Sequence, residues 1–150
     1  MKNSLSIILF CICFALFPFR GSAQTKVILG SSQYGEVICN FDGTALRSGD
    51  SQYSEVMYNW DGLAIRKGSS KYSEPLYNFD GVSFRQGSSK FGTVLYNWDG
   101  RCIRMGDSKY GEVLYNFDGK YLRPGDSRYS EAWLTIVGKL PIGLLIFLIM

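Results

Sequence analysis

Histidine is missing from all 150 residues of this chain. Its absence excludes imidazole general bases, serine–histidine and cysteine–histidine nucleophile pairs, and histidine metal ligands. Cysteine is scarce: of four, Cys11 and Cys13 sit inside the early apolar run "LSIILFCICFALFPF", leaving Cys39 and Cys102 for the rest. A disulfide is one reading of that pair in an exported protein. The two occupy different places in the repeat described below, which favours small apolar fillers. Excess charge is missing too: beyond residue 23, 14 lysines and arginines face 13 acidic side chains, a net charge of +1. Nucleic acid, which wants basic residues gathered on one face, is therefore not an expected partner.

What is present starts with Lys2, the apolar run and the small residues of "GSAQ". This is the layout of a secretory signal peptide covering residues 1–23, cleaved after Ala23. Cys11 and Cys13 are preceded by Phe10 and Ile12 inside the run, the wrong setting for a lipidated cysteine. Export to a periplasm, cell envelope or medium is expected. At the other end, "LPIGLLIFLIM" over 140–150 is eleven residues long, short of the roughly 20 that a membrane helix needs. Such a tail is expected to pack as a last strand, pack against the domain, or make weak membrane contact.

Between these ends, over residues 24–139, one unit is written repeatedly. Copies open at Gly30, Gly49, Gly68, Gly87 and Gly106, with a partial one at Gly125, each 19 residues after the last. Down the copies the unit reads G-[SD]-S-[QKR]-[YF]-[GS]-E-V-[LMI]-Y-N-[FW]-D-G-x-x-[ILF]-R-x. Asp-Gly between two short apolar-polar runs is a strong hairpin signal, because a type I′ turn needs positive φ at both central residues. The Asp-Gly pairs are 42–43, 61–62, 80–81, 99–100 and 118–119. The expected class is all-β, built of hairpin petals.

Strict alternation then sorts the side chains of the second copy into two faces. One carries Val56, Tyr58, Trp60, Leu63 and Ile65, the other Glu55, Met57, Asn59, Ala64 and Arg66. A lone hairpin is marginal in water, so the apolar faces must bury against one another in a closed ring or an open β-solenoid. The chain ends favour the ring: "TKVILG" (25–30) matches a second strand and "SEAWLTIVG" (130–138) a first strand. Pairing them, with Val27 and Ile28 beside Leu134 and Ile136, completes a composite closing element and removes open edges.

Chemistry finds little purchase in this pattern. Glycosidase-type catalysis needs one special pair of carboxylates, whereas here acidic residues recur in every unit, so no enzyme activity and no catalytic residue are expected. Asn-aromatic-Asp-Gly offers one carboxylate and one amide per unit, against the six to eight oxygens of a calcium site, so no metal or other cofactor is expected. Arg47, Arg66, Arg85, Arg104 and Arg123 share one repeat position, Glu36, Glu55, Glu74, Glu112 and Glu131 another, and Thr93 breaks the acidic series. An ion-pair ladder between them is the structural reading, and an arginine ring for an anionic ligand the functional one. Tyr58, Tyr77, Tyr96 and Tyr115, with Trp60 and Trp98, read either as core or as stacking platforms for a sugar or a quaternary amine. These six aromatics and five arginines are the candidate ligand contacts.

The unit "SEVMYNWDGLAIR" and its siblings resemble the five-fold β-flower proteins, small exported bacterial proteins whose hairpins form petals around an axis. The resemblance covers residues 30 to about 131 and implies a compact, closed β architecture with no established activity. Similarity to choline-binding repeats extends only to hairpin periodicity, since their Gly-Trp opening and paired aromatics are missing. The expectation is five petals plus a composite closing element in a monomeric, non-enzymatic scaffold of the cell envelope or medium. Its partner would be a protein or a glycan; the alternative is a carbohydrate or small-ligand module using clefts between hairpins, and a third, weaker one is an envelope hydrolase.

Overall fold

A computed structural model describes residues 23–150. The expected signal peptide, with Cys11 and Cys13, lies outside the described residues except for Ala23. Twelve strands follow: β1 (Thr25–Leu29), β2 (Val37–Phe41), β3 (Ala45–Ser48), β4 (Val56–Trp60), β5 (Ala64–Lys67) and β6 (Tyr77–Phe79), then β7 (Ser83–Gln86), β8 (Val94–Trp98), β9 (Cys102–Met105), β10 (Val113–Phe117), β11 (Tyr121–Pro124) and β12 (Leu134–Val137). One helix, α1 (Ile142–Leu148), ends the chain.

Each strand pairs antiparallel with its sequence neighbours, and β1 pairs with β12 to close a barrel. The closing register sets Val27 opposite Ile136 and Leu29 opposite Leu134. The two half-units at the chain ends thus make a sixth hairpin, and the ring has no free edge left to template another strand. An open solenoid is excluded.

The turns differ from the expected type I′. Trp60 pairs with Ile65, which leaves four residues, Asp61 to Ala64, in the loop. Gly62 has φ of 98°, but among the described residues no non-glycine residue has positive φ. Asp61 stays in ordinary backbone space and uses its carboxylate instead: Oδ1 accepts the N–H groups of Leu63 at 2.9 Å and Ala64 at 2.7 Å. This side-chain turn does the work of the second positive-φ residue. It also re-sorts the faces, since Leu63 is lifted out of the apolar slab to 54 % exposure while Ala64 is buried. A second departure comes from bulges at Ile38, Met57, Leu95 and Leu114, each an unpaired extra residue in the first strand of a petal. Bulges add local twist and bend strands at barrel rims, and here they let Ile38, Met57 and Leu95 touch the core as well.

Three sets of six residues, each spaced by the repeat, point inward. Phe41, Trp60, Phe79, Trp98, Phe117 and Ile136 form one; Val27, Leu46, Ile65, Phe84, Ile103 and Leu122 the next. Cys39, Tyr58, Tyr77, Tyr96, Tyr115 and Leu134 form the third. Helix α1 fills the space they surround. Its sequence, IGLLIFL, has no polar residue, and a helix apolar on every side must be buried; Leu144, Leu145 and Ile146 are 0 % exposed. At seven residues it is about 10 Å long, a fit to a barrel of four- and five-residue strands. At Gly143 the helix passes close to the wall: a Cβ there would lie 2.8 Å from Cη2 of Trp60 and 3.0 Å from Cβ of Phe79. The apolar tail is therefore neither a last strand nor a surface segment but the centre of the core.

Candidate functional site

The candidate aromatics all face the lumen. Trp60 is buried, and Tyr58, Tyr77, Tyr96, Trp98 and Tyr115 are half-buried. Phe147 of α1 meets Tyr58 edge-on at 4.7 Å between ring centres and Tyr77 at 5.6 Å. Tyr77 stacks on Phe84 at 5.2 Å, and Tyr115 on Trp133 at 5.5 Å. Phe147 thus occupies the place a ligand stacked on Tyr58 or Tyr77 would take, whereas Trp98 and Tyr115 also line clefts that open to solvent.

The arginines do not face one another, and their partners are not the expected glutamates. Arg47, Arg66, Arg85 and Arg123 reach the aspartate of their own turn, Asp42, Asp61, Asp80 and Asp118, at 2.5–2.7 Å, and Arg104 does the same with Asp99. The strand pairing explains the choice: the four-residue loop sets Asp61 just beyond Trp60 while Arg66 lies opposite Asn59, so the two are near neighbours across the hairpin. Glu36, Glu55, Glu74, Glu112 and Glu131 remain exposed. Partial burial pushes each turn carboxyl up, but the two backbone N–H donors and the guanidinium outweigh it and hold it below the ordinary carboxylate value.

Asparagines missed by the sequence reading as working groups hold the outside of the barrel. Asn40, Asn59, Asn78, Asn97 and Asn116 face outward yet are buried, because the loop after each petal folds back over them. Each Nδ2 donates to the carbonyl of the repeat-opening glycine at 2.7–2.8 Å and to the serine two residues on at 3.1–3.3 Å. In the composite petal Thr135 stands at this position, and its Oγ1 donates to the Gly30 carbonyl at 2.6 Å.

These clamped loops carry a feature that the candidate residues did not include. Tyr34, Tyr53, Tyr72, Phe91, Tyr110 and Tyr129 sit one per loop, 86–99 % exposed. Each ring's backbone N–H donates to the hydroxyl of the serine two residues earlier at 3.1–3.2 Å. Lys71, Lys90 and Lys109 lie over the neighbouring rings at 5.1–5.2 Å. The signal was in the sequence: an aromatic residue inside a polar Gly/Ser turn, kept in all six copies.

Clefts open between adjacent petals at their Asp-Gly ends. One of about 670 Å³ is lined by Trp98, Arg101, Asn116, Asp118 and Arg128. Its Arg101 is already paired with Asp126 at 3.1 Å. Cys39 and Cys102 are both buried with free thiols, in β2 and β9, so no disulfide joins them. Burial pushes the Cys39 thiol up to about 12 and, with Asp99 beside it, raises Cys102 as well. No group of three or more potential metal-ligating side chains occurs among the described residues.

Comparison with known proteins agrees with the geometry. No curated protein and no solved structure matches the chain. The sequence model of the 6-fold beta flower protein family matches residues 27–148, a span that takes in the composite petal and α1. The five-fold expectation counted only the complete repeats, and pairing of the two chain ends supplies the sixth. With that span matched and six petals around one axis, the chain belongs to the 6-fold beta flower protein family.

Proposed function

We propose that this 6-fold beta flower protein is an exported, non-enzymatic scaffold or interaction module that works through the outside of its barrel. The observation that carries the reading is helix α1. With Leu144, Leu145 and Ile146 fully buried at the centre of the ring, the lumen is core and binding falls to the outer wall. A sugar stacked on Tyr58 or Tyr77 would have to displace Phe147, which speaks against the lumen aromatics as the ligand platform. A membrane contact through residues 140–150 would likewise require α1 to leave the barrel.

Support for the absence of catalysis is that the turn carboxylates are each tied to two backbone N–H groups and an arginine, and that the arrangement recurs in five petals. A catalytic centre needs one carboxylate set apart from its siblings. Support for export is the N-terminal charge, apolar run and small-residue site. The partner is a protein or a glycan, not nucleic acid, met by a monomer that uses no cofactor.

Two measurements test this. Fractionation of cells expressing the full chain should find protein beginning at Gln24 in the envelope or medium; protein retained in the cytoplasm with Met1 intact refutes export. Photo-crosslinking residues placed at exposed Leu63 and at lumen-facing Tyr58 should give adducts only from the outer position. Adducts from Tyr58 alone would refute action through the outer wall.

A further inference from the structure

We propose that the six loop aromatics form a multivalent platform for a long polysaccharide of β-linked pyranoses, each ring stacking on the C–H face of one sugar. The inference rests on the outer-wall reading above and names its ligand class.

The first observation is repetition against drift. The exposed position after each petal's arginine has wandered through Ser48, Lys67, Gln86, Met105 and Pro124. The ring position, also exposed, has stayed aromatic in six copies of six, five tyrosines and Phe91. Burial does not account for that, because these rings are 86–99 % exposed and belong to no core cluster. Fold maintenance does not account for it either, since it is the serine hydroxyl and the asparagine that hold the loop.

The second observation is the neighbourhood of each ring. In the second copy, Tyr53 stands between Gln52, Ser54 and Glu55; in the third, Tyr72 stands between Lys71, Ser73 and Glu74. A flat apolar face rimmed by hydroxyl, amide, ammonium and carboxylate groups matches a pyranose, whose C–H face is apolar and whose edge is hydroxyl. β-linked chains with equatorial hydroxyls expose that face most fully. An anionic membrane surface fits less well, because across the six loops eight carboxylates (Glu36, Asp50, Glu55, Glu74, Asp107, Glu112, Asp126 and Glu131) outnumber four basic side chains (Lys71, Lys90, Lys109 and Arg128) and repel it on balance. A protein hot spot fits less well too: such anchors cluster in a desolvated centre, whereas here each loop carries a single ring.

The third observation is number. One ring on one sugar is weak, but six equivalent sites on a rigid barrel convert later contacts into intramolecular ones. Linked weak sites gain about 100- to 10,000-fold in avidity when the ligand spans them. A polymer meets that condition and a monosaccharide does not.

The test uses purified protein expressed from the full chain, incubated with insoluble β-1,4-glucan, insoluble β-1,4-N-acetylglucosamine polymer, starch, and vesicles of phosphatidylcholine mixed with anionic phosphatidylglycerol. Retention on at least one β-linked polymer is expected, with little effect of free monosaccharide. A variant combining Tyr53→Ser, Tyr72→Ser, Phe91→Ser and Tyr110→Ser should keep the wild-type urea midpoint and lose retention about 100-fold. The inference is overturned if the wild type is retained on neither β-linked polymer, if vesicles are bound in preference, or if the quadruple variant binds as well as the wild type. Release of reducing ends from a retained polymer would instead overturn the non-enzymatic reading and leave this one standing.

Discussion

Ending the chain at Lys139 removes α1 and should leave the barrel unable to hold its shape. Leu144, Leu145 and Ile146 are fully buried, and burying an aliphatic side chain of this size is worth about 1.5–3 kcal/mol. Three of them together come to about 5–9 kcal/mol, against a whole-domain stability of about 5–15 kcal/mol. The inward faces of Trp60, Phe79 and Tyr58 would lose their packing partners in addition. The assay is urea denaturation followed by tryptophan fluorescence, because Trp60 lies against Gly143, together with binding of a dye that reports exposed apolar surface. The truncated protein should unfold at far lower urea or bind dye without denaturant. Leu145→Ala in the full chain is the milder form and should cost about 2–5 kcal/mol. A truncated protein whose unfolding free energy falls by no more than about 1 kcal/mol would refute the plugged core, since that is less than one buried aliphatic side chain contributes.

Three further outcomes follow from the petals. Asn59→Ala removes the buried amide that donates to the Gly68 and Ser70 carbonyls and, at about 0.5–1.5 kcal/mol per hydrogen bond, should cost about 1–3 kcal/mol; a urea midpoint within error of wild type would count against the clamp. Because the turn aspartates are held below their ordinary value, their contribution is present above an unfolded value of about 3.9 and is lost as pH falls through the lowered folded value. The urea midpoint should therefore be flat from pH 7 to about 5 and drop below about 4, and Asp61→Asn with Asp80→Asn should shrink that drop; an unchanged drop would show the pairs are not its source. Cys39 and Cys102 should resist alkylation at pH 8 until urea is added, given their burial and raised values; rapid labelling of the native protein, or a native mass short by two hydrogens, would contradict the packing.

Much of the candidate site was hidden for a geometric reason. Tyr58 and Trp60 are legible as one face of a strand, but whether that face meets solvent or a helix depends on residues more than 80 positions away, Gly143 and Phe147. The partner of Arg66 was missed because it depends on loop length. A two-residue turn would consume Asp61 as a backbone position, and the four-residue loop frees its carboxylate for both the turn and the arginine.

The sequence by itself determined the repeat, its 19-residue period, the hairpins and the matching half-units at the two ends. Those are local patterns, written within one unit or by direct comparison of units, and strand period and turn residues act over a few positions. Only the tertiary structure decided that the halves pair, that the apolar tail becomes a helix inside the ring, and that six aromatic rings stay outside. Each of these depends on what a segment meets after closure: the tail had to be buried somewhere, and the lumen of the twelve-stranded ring was the space left to bury it.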